Sequence, residues 1–380
     1  MVDGSIEIIS GRKEAFALEP EYIELYESLP CANVFLAPEW VYTWLLSLGR
    51  NYEVCFITCR VEGRLAGVWP FFQCRLPLIG KALLPVGAHA ADAFDPVARP
   101  EVMPILISAL AGLCGKFSFA WLPLVSRDFT QRMLEPELKK NRHLIRKRAL
   151  RFLIDLDRFT SFHDYFEMVF GPKTRQSLRR KSRRLFEEGD VRFLLLEKPA
   201  EIVSWLERVM NLERASWKGN AGVGIFHRPD HRAFYQLLLE NLAGRGRLRL
   251  ALLTIGDKLA AYEIGLLGTD YYCMHSMAFD PEFAAFSPGR LLMLHSLEKC
   301  INEKRRLYDF MQNDQEFKRQ MATSDSHLWD CIILSRSSKG LAILAAVKAI
   351  HAWTDWRHGS AIKPGSLERN NHAQEPKAKK

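Results

Sequence analysis

The chain has 380 residues, of which 48% are hydrophobic and 11% aromatic, and its formal net charge is +9. This length and composition indicate a globular protein with two domains or one large one. The longest apolar stretch near the end, residues 341–353, is interrupted by Lys348 and His351 and is too short to span a bilayer. Since no basic and apolar leader opens the sequence, we expect a cytoplasmic protein, with peripheral membrane contact as an option.

The cysteines do not predict a metal site. They stand at positions 31, 55, 59, 74, 114, 273, 300 and 331, without a paired C-x-x-C spacing. Cys55 and Cys59 would share one face of a strand, but no His or Cys partners for zinc lie nearby. We therefore expect buried, reduced thiols and no metal.

In chain order, the first half predicts a helix with aromatic anchors at residues 38–45 and then a β-hairpin at residues 54–72. The turn of the hairpin is Glu62-Gly63. The loop at residues 87–96 follows a strand and carries His89, Asp92 and Asp95, which makes it a candidate wall of a cleft.

Two basic runs follow, at residues 139–148 and 173–184, and a third cluster ends the chain. The second run predicts a helix, because no residue in it breaks one and Leu178, Leu185 and Phe186 form part of an apolar stripe. Its cations could attract the phosphates of coenzyme A, the acceptor stem of a tRNA or an anionic membrane. The alternative is a charged helix face that is exposed to solvent and binds no partner.

The second half echoes the first. Residues 234–239 predict a helix, and residues 248–267 predict a hairpin that turns at Gly256-Asp257. The segment 258–261, Lys-Leu-Ala-Ala, resembles Arg-Leu-Ala-Gly at 64–67, which indicates a duplicated fold.

The most informative turn comes next, at the start of a helix predicted over residues 287–306. Ser287 is placed to cap the helix, Pro288 suits its first turn, and Gly289 would let a ligand approach the backbone. With Arg290 and Leu291 these residues form a candidate phosphate cradle, although an ordinary helix start has the same pattern.

The sequence around this turn resembles the GNAT-type acyltransferases of the CelD-like group, which is associated with cellulose and exopolysaccharide synthesis and is related to the FemAB peptidyltransferases. The resemblance rests on the following motifs: a tyrosine-rich strand at 271–272, Asp-Pro-Glu at 280–282, Ser-Pro-Gly-Arg-Leu-Leu at 287–292, Asp309-Phe310, Asp314 and Lys318. Asn313 replaces the usual Gly and Phe317 the frequent Tyr. Asn tolerates a left-handed backbone, so the turn is expected to survive. The usual pyrophosphate loop of GNAT enzymes is absent.

The resemblance and the repeat together imply an α/β protein of tandem GNAT-like domains, each a mixed twisted sheet flanked by helices. We expect a degenerate domain at residues 1–125, a basic connection at 126–155, and the domain with the donor site at 156–340. Residues 341–380 would form a C-terminal helix and a polar, disordered tail.

For chemistry, the candidates to take a proton from the acceptor are His275, Glu213 and Asp309. Lys318 is a candidate to hold a donor phosphate or polarise the thioester carbonyl. Glu213 and Trp217 are four residues apart and are expected to share one helix face. Acceptor binding is assigned to four positions: Trp217, Tyr272, Asp314 and Phe317.

The predicted function is transfer of an acyl group, most simply acetyl, from coenzyme A to an amine or hydroxyl of a sugar or cell-envelope precursor. Polysaccharide-synthesis machinery at the inner membrane surface is the partner that the resemblance implies. One alternative is FemAB-like aminoacyl transfer from charged tRNA. The other is a catalytically silent partner protein on an anionic membrane, with Trp353 and Trp356 at the interface.

Overall fold

The computed structural model of the chain describes residues 3–30, 32–76, 80–88, 90–338 and 340–347. Cys31, His89 and the C-terminal residues 348–380, with Trp353 and Trp356, lie outside the described part. The strands are β1 Ser5–Ser10, β2 Val54–Val61, β3 Arg64–Leu76, β4 Gly80–Pro85, β5 Val97–Ala98, β6 Phe119–Val125, β7 Arg142–Asp155, β8 Val191–Leu196, β9 Leu248–Ile255, β10 Lys258–Leu267, β11 Tyr271–Phe279, β12 Leu307–Gln312 and β13 Ser324–Leu334.

Helices cover this sheet. They are α1 Arg12–Ala17, α2 Glu19–Ser28, α3 Pro38–Leu46, α4 Met103–Leu113, α5 Arg127–Phe129, α6 Glu135–Leu138, α7 Phe162–Val169, α8 Pro172–Glu187, α9 Pro199–Ala215, α10 Trp217–Ala221, α11 Pro229–Gly244, α12 Pro288–Asn302 and α13 Glu316–Met321. The α/β class expected from the sequence is confirmed. No helix among the described residues is long and apolar enough to cross a bilayer.

The predicted repeat is visible in the order of the strands. The sheet runs β1-β2-β3-β4-β6-β13-β7-β12-β11-β10-β9-β8, with β5 beside β3. In the N-terminal half, β1 to β4 pair antiparallel in succession and β4 lies parallel to β6. In the C-terminal half, β8 to β11 pair antiparallel in succession and β11 lies parallel to β12. Each half therefore builds the same five-stranded unit.

The two units are joined by an exchange of strands. β13, at the end of the C-terminal half, lies between β6 and β7 and pairs antiparallel with both. β7 belongs to the basic segment 126–155. It pairs with β13 over residues 142–153 and with β12 at its C-terminal end. The halves thus share one continuous sheet, and the segment expected as a connection supplies one of its central strands.

Both predicted hairpins are present. Glu62 and Gly63, with φ of 50° and 78°, both adopt the left-handed backbone that lets a two-residue turn follow the twist of its strands. Helix α8 spans the whole second basic run and buries Leu178 and Leu185, whereas Phe186 is 53% exposed and is not part of its apolar face. Six of the seven described cysteines are buried, and all seven are free thiols.

Candidate functional site

A polar cavity lies between α8 and the N-terminus of α12. Its volume is about 280 Å³, and it adjoins a second cavity of about 480 Å³. The smaller one is lined by Lys173, Thr174, Ser177, Leu178, Lys181, Ser287, Arg290 and Gln320. The larger one adds Arg158, Gly171 and Arg319 and shares Thr174 and Gln320. The predicted cradle at 287–290 therefore faces an open, basic cavity.

Ser287 begins α12, but its role differs from the expected cap. Its backbone is left-handed, with φ 55°, and its side chain makes no capping hydrogen bond. Instead Ser287 Oγ accepts a hydrogen bond of 2.6 Å from Lys181 Nζ, which ties α8 to the start of α12. Pro288 occupies the first turn of the helix as predicted.

Gly289 does not admit a ligand. It is buried, and a Cβ added there would lie 2.8 Å from Met277 Sδ and 3.3 Å from Phe279 Cδ1. The glycine lets α12 pack closely on β11, so its expected contact with a donor is wrong. Leu291 is also buried and belongs to the apolar core under the helix.

Arg290 is the residue of the turn that best suits an anion. Its guanidinium lies over the ring of Phe170, at 5.3 Å from the centroid. Nε and Nη2 are buried without a hydrogen-bond partner among the described residues. Burial lowers the pKa of Arg290, because the charge has lost its hydration. Two unsatisfied cationic donors beside Lys181 form a cradle that fits a phosphate.

The second part of the site is a gap between the parallel strands β11 and β12. They pair at only three positions, ending at Cys273 and Asp309. Beyond that point Met311 and Asn313 take left-handed backbones, with φ of 62° and 84°, and the register of β12 against β7 shifts. The two strands therefore part. The left-handed φ of Asn313 agrees with the expectation that Asn can form this turn.

Lys318 reaches this gap from α13 and is only 4% exposed. Its Nζ donates a hydrogen bond of 2.6 Å to the carbonyl oxygen of Gln312. Burial lowers its pKa to about 8, although the carboxylates of Asp309 and Asp92 act in the opposite direction. Since Gln320 of the same helix lines both cavities, α13 links the gap to the phosphate cradle.

Asp92 belongs to the N-terminal half and contacts the end of β12 from the loop 87–96, which was predicted to form the wall of a cleft. Its Oδ1 accepts a hydrogen bond from Gln312 Nε2 at the end of β12. Burial raises the pKa of this carboxyl to about 6, and the negative charge of Asp309 adds to the shift. Asp92 is half-buried, so it keeps contact with solvent. Asp95 instead accepts from the backbone N–H of Ser126 and only fixes the loop.

Asp309 does not fit a catalytic base. It is fully buried, and both Nε and Nη2 of Arg151 donate to its Oδ2. Its Oδ1 accepts from the N–H of Met311, which helps to hold the turn of β12. Both carboxylate oxygens are thus engaged, and the ion pair joins β12 to β7.

His275 does not fit a base either. It lies among the rings of Phe35, Trp40 and Tyr235 and makes a 3.2 Å hydrogen bond from Nε2 to the hydroxyl of Tyr235. Burial, with a smaller effect from the charge of Lys218, lowers its pKa to about 3. At neutral pH the ring stays uncharged and packs as an aromatic.

Tyr272 is also a core residue, so its predicted contact with substrate is wrong. It is fully buried, and its ring stacks on Tyr308 with centroids 4.9 Å apart. Its hydroxyl donates to Glu263 Oε1.

Glu213 and Trp217 do not share a helix face, because α9 ends at Ala215 and Ser216 caps a new helix, α10. Trp217 is 40% exposed, whereas Glu213 is buried. Glu213 Oε1 accepts from the N–H of Phe226, and Oε2 accepts from Tyr262 at 2.5 Å. The carboxylate fastens the loop after α10 to the sheet and is engaged by these bonds.

The remaining predicted positions, Asp314 and Phe317, lie between the end of β12 and Lys318 in the chain. Asp314 is exposed and forms an ion pair with Arg319, a residue that lines the larger cavity. Phe317 is half-buried and packs on Phe310. No group of three or more potential ligands within the described ranges is arranged to hold a metal ion.

The sequence did not single out Lys218. Its Nζ donates a 2.9 Å hydrogen bond to Ser276 Oγ on β11 and lies 4.0 Å from Glu213 Oε2. Burial lowers the pKa of Lys218. The only signal in the sequence was its place next to Trp217, and nothing local showed that it would turn inward.

Comparison with known proteins gives the class of the C-terminal half. Residues 172–319 match the family model described as "Acetyltransferase (GNAT) domain". A search of curated proteins returned no match. The match covers α8, the cradle, the gap and Lys318.

Solved structures share the fold over nearly the whole chain. The structure of FemX has a TM-score of 0.61 at 12% identity, covering 86% of this chain and 96% of FemX. A conserved protein of unknown function from Bacteroides thetaiotaomicron gives 0.57 at 11% identity, covering 87% and 100%. The C-terminal domain of a putative lysylphosphatidylglycerol synthetase from Agrobacterium fabrum gives 0.55 at 13%, covering 87% and 96%. At these identities the likeness concerns the fold alone.

Proposed function

We infer that this chain, a GNAT-type acyltransferase, moves an acyl group from the sulfur of coenzyme A to an amine or hydroxyl acceptor. The observation that carries the proposal is the position of α13. This helix places Gln320 in the basic cavity and Lys318 at the gap between the parted strands. A donor whose phosphates lie on Lys181 and Arg290 would reach the gap with its thioester.

The phosphate end of the donor would be held by charge-assisted hydrogen bonds. Arg290 offers two unsatisfied N–H groups, and Lys181 is fixed beside them by Ser287. The N-terminus of α12 adds the positive end of its dipole. Acyl-coenzyme A supplies the activated thioester when bound.

At the gap, the acceptor nitrogen or oxygen attacks the thioester carbonyl carbon. A C–N or C–O bond forms, the carbonyl π electrons move to oxygen, and the C–S bond then breaks as the carbonyl re-forms. Lys318 is the cation next to this oxygen, and Asp92, ionised above pH 6, takes the proton that the nucleophile loses. That proton passes to the departing thiolate, so the products are the acylated acceptor and the free thiol.

A sugar or cell-envelope precursor is proposed as the acceptor, and its support is the sequence pattern at residues 280–318 and the exposed ring of Trp217. An aromatic face of this kind suits stacking on a sugar.

Calorimetric titration with acetyl-coenzyme A tests the donor site. The informative variant is Lys181→Met/Arg290→Met, since a larger residue at Gly289 would disturb packing on β11. We expect the Kd to rise by about 10-fold or more, the loss of one or two charge-assisted hydrogen bonds. Arg180→Met is the matched control, because Arg180 is exposed on the same helix outside both cavities.

Equal binding by the double variant would contradict the cradle. If the wild-type protein does not bind acetyl-coenzyme A but binds charged tRNA, aminoacyl transfer would be favoured. That second function has one supporting observation, the exposed cations Lys173, Arg180 and Arg183 on α8, for which no acidic partner occurs among the described residues.

A further inference from the structure

Lys218 and Lys318 contact opposite sides of the gap, one on β11 and one on β12. The last paired residues of these strands are Cys273 and Asp309, and each lysine contacts the strand residue three positions further along. Lys218 binds the hydroxyl of Ser276 on β11, and Lys318 binds the carbonyl of Gln312 on β12. Two ammonium groups therefore flank one opening.

The turn that brings Lys218 inward is specifically built. Ser216 caps α10 by accepting from the N–H of Lys218 and donates its hydroxyl proton to the carbonyl of Glu213. A Cβ added at Gly219 would lie 2.0 Å from the carbonyl oxygen of Arg214, so only glycine lets α10 fold back onto the end of α9. Lys218 is thereby aimed at β11 while Trp217 remains exposed.

The charge of Lys218 is incompletely compensated. An ammonium has three protons to donate, and within the described part of the chain Ser276 Oγ is the one acceptor within hydrogen-bond distance. Glu213 Oε2, at 4.0 Å, is too distant for a hydrogen bond and is engaged by Tyr262. The side chain is only 16% exposed. A largely buried cation with free donors is costly unless a ligand satisfies it.

Lys318 already serves the developing oxyanion in the reaction proposed above, so a second cation across the gap suits a different negative group. We propose that Lys218 binds a carboxylate or phosphate of the acceptor, and that the acceptor is an amine or alcohol carrying such a group close to its nucleophile. This inference rests on the proposed acyl transfer for the identity of the ligand as acceptor, but the anion site can be tested without it.

Binding of phosphoethanolamine, measured by calorimetry, is the first test. It is done with the Lys181→Met/Arg290→Met variant, so that the phosphate cradle does not contribute. We expect binding that Lys218→Met weakens about 10-fold or more and Lys218→Arg largely restores, the effect of losing a charge-assisted contact. Ethanolamine is the comparison that lacks the anionic group and should bind weakly to every variant. No binding of phosphoethanolamine, or equal binding by Lys218→Met, would overturn the proposal.

Steady-state kinetics then test whether the bound anion is part of the acceptor. With acetyl-coenzyme A as donor, thiol release is followed for the pairs phosphoethanolamine and ethanolamine, and glycine and glycinamide. In each pair the compound with the anionic group, phosphoethanolamine or glycine, should have the higher kcat/KM. Lys218→Met should remove this preference by raising the KM of the anionic compound. A preference that survives Lys218→Met contradicts the assignment. If thiol is never released while Lys218-dependent binding persists, the acyl-transfer proposal fails and the anion site stands.

Discussion

Asp92 of the N-terminal half accepts a hydrogen bond from Gln312 of the C-terminal half, at the point where β12 leaves β11. The same Gln312 accepts from Lys318 through its carbonyl oxygen. One residue thus sets the proposed base beside the proposed oxyanion donor. The N-terminal half, although it lacks the Ser-Pro-Gly turn, closes the candidate site.

The pH dependence of kcat/KM should be bell-shaped. Activity requires ionised Asp92, so it should rise as pH passes about 6, the raised pKa of that carboxyl. It also requires protonated Lys318, so it should fall as pH passes about 8, the lowered pKa of that ammonium. Initial rates from pH 5 to 9 check this. Asp92→Asn should lower activity by roughly 100-fold or more and remove the acidic limb. An unchanged profile in Asp92→Asn would exclude Asp92 as the base.

His275→Phe should keep most activity, within a few-fold, because the native ring is uncharged and packs among aromatics. Tyr235 retains its hydrogen bond to the carbonyl of Ala90. The acidic limb of the pH profile should not move. A loss of about 100-fold in a variant with native circular dichroism would restore His275 as a proton acceptor.

Arg151→Met should destabilise the fold by about 3–5 kcal/mol, since it leaves the fully buried Asp309 without its cation. Urea unfolding measures the change in the free energy of unfolding. Arg151→Met/Asp309→Asn should recover part of the loss, and exposed Arg180→Met should shift stability by less than about 0.5 kcal/mol. A cost for Arg151→Met as small as that of the control would show that the pair does not hold β7 to β12.

Gly224→Ala should disturb the turn that presents Lys218. An added Cβ would lie 2.4 Å from Glu213 Oε1, so the carboxylate must move away from the N–H of Phe226. We expect a loss of about 1–3 kcal/mol in thermal or urea unfolding and a higher KM for the acceptor. Gly244→Ala, where the added methyl meets no atom within 4 Å, is the matched control and should be neutral or slightly stabilising. Equal behaviour of the two variants would contradict this account.

Local patterns in the sequence predicted several elements correctly. The Glu62-Gly63 turn, the helix of the second basic run and the helix after Ser287 each depend on residues close in the chain, such as turn formers, helix formers and a proline at the first turn. The left-handed Asn313 belongs to the same group, because a backbone preference is a property of the residue itself.

The predictions about side chains were less accurate, for a physical reason. Tyr272, His275 and Asp309 all stand in or beside the predicted site, but their roles depend on what packs against them. Tyr272 meets Tyr308, His275 meets rings of both halves, and Asp309 meets Arg151 from 158 positions away. No local pattern reports such partners.

The sequence by itself therefore determined the class of the C-terminal half, the repeated hairpins and the start of a helix at Ser287, because each is encoded in short runs of residues. Only the tertiary structure decided that β13 crosses to the other half, that Asp92 meets Gln312, and that Lys218 and Lys318 flank one gap. These relationships bring together residues far apart in the chain, and burial by distant elements sets both their contacts and their pKa values.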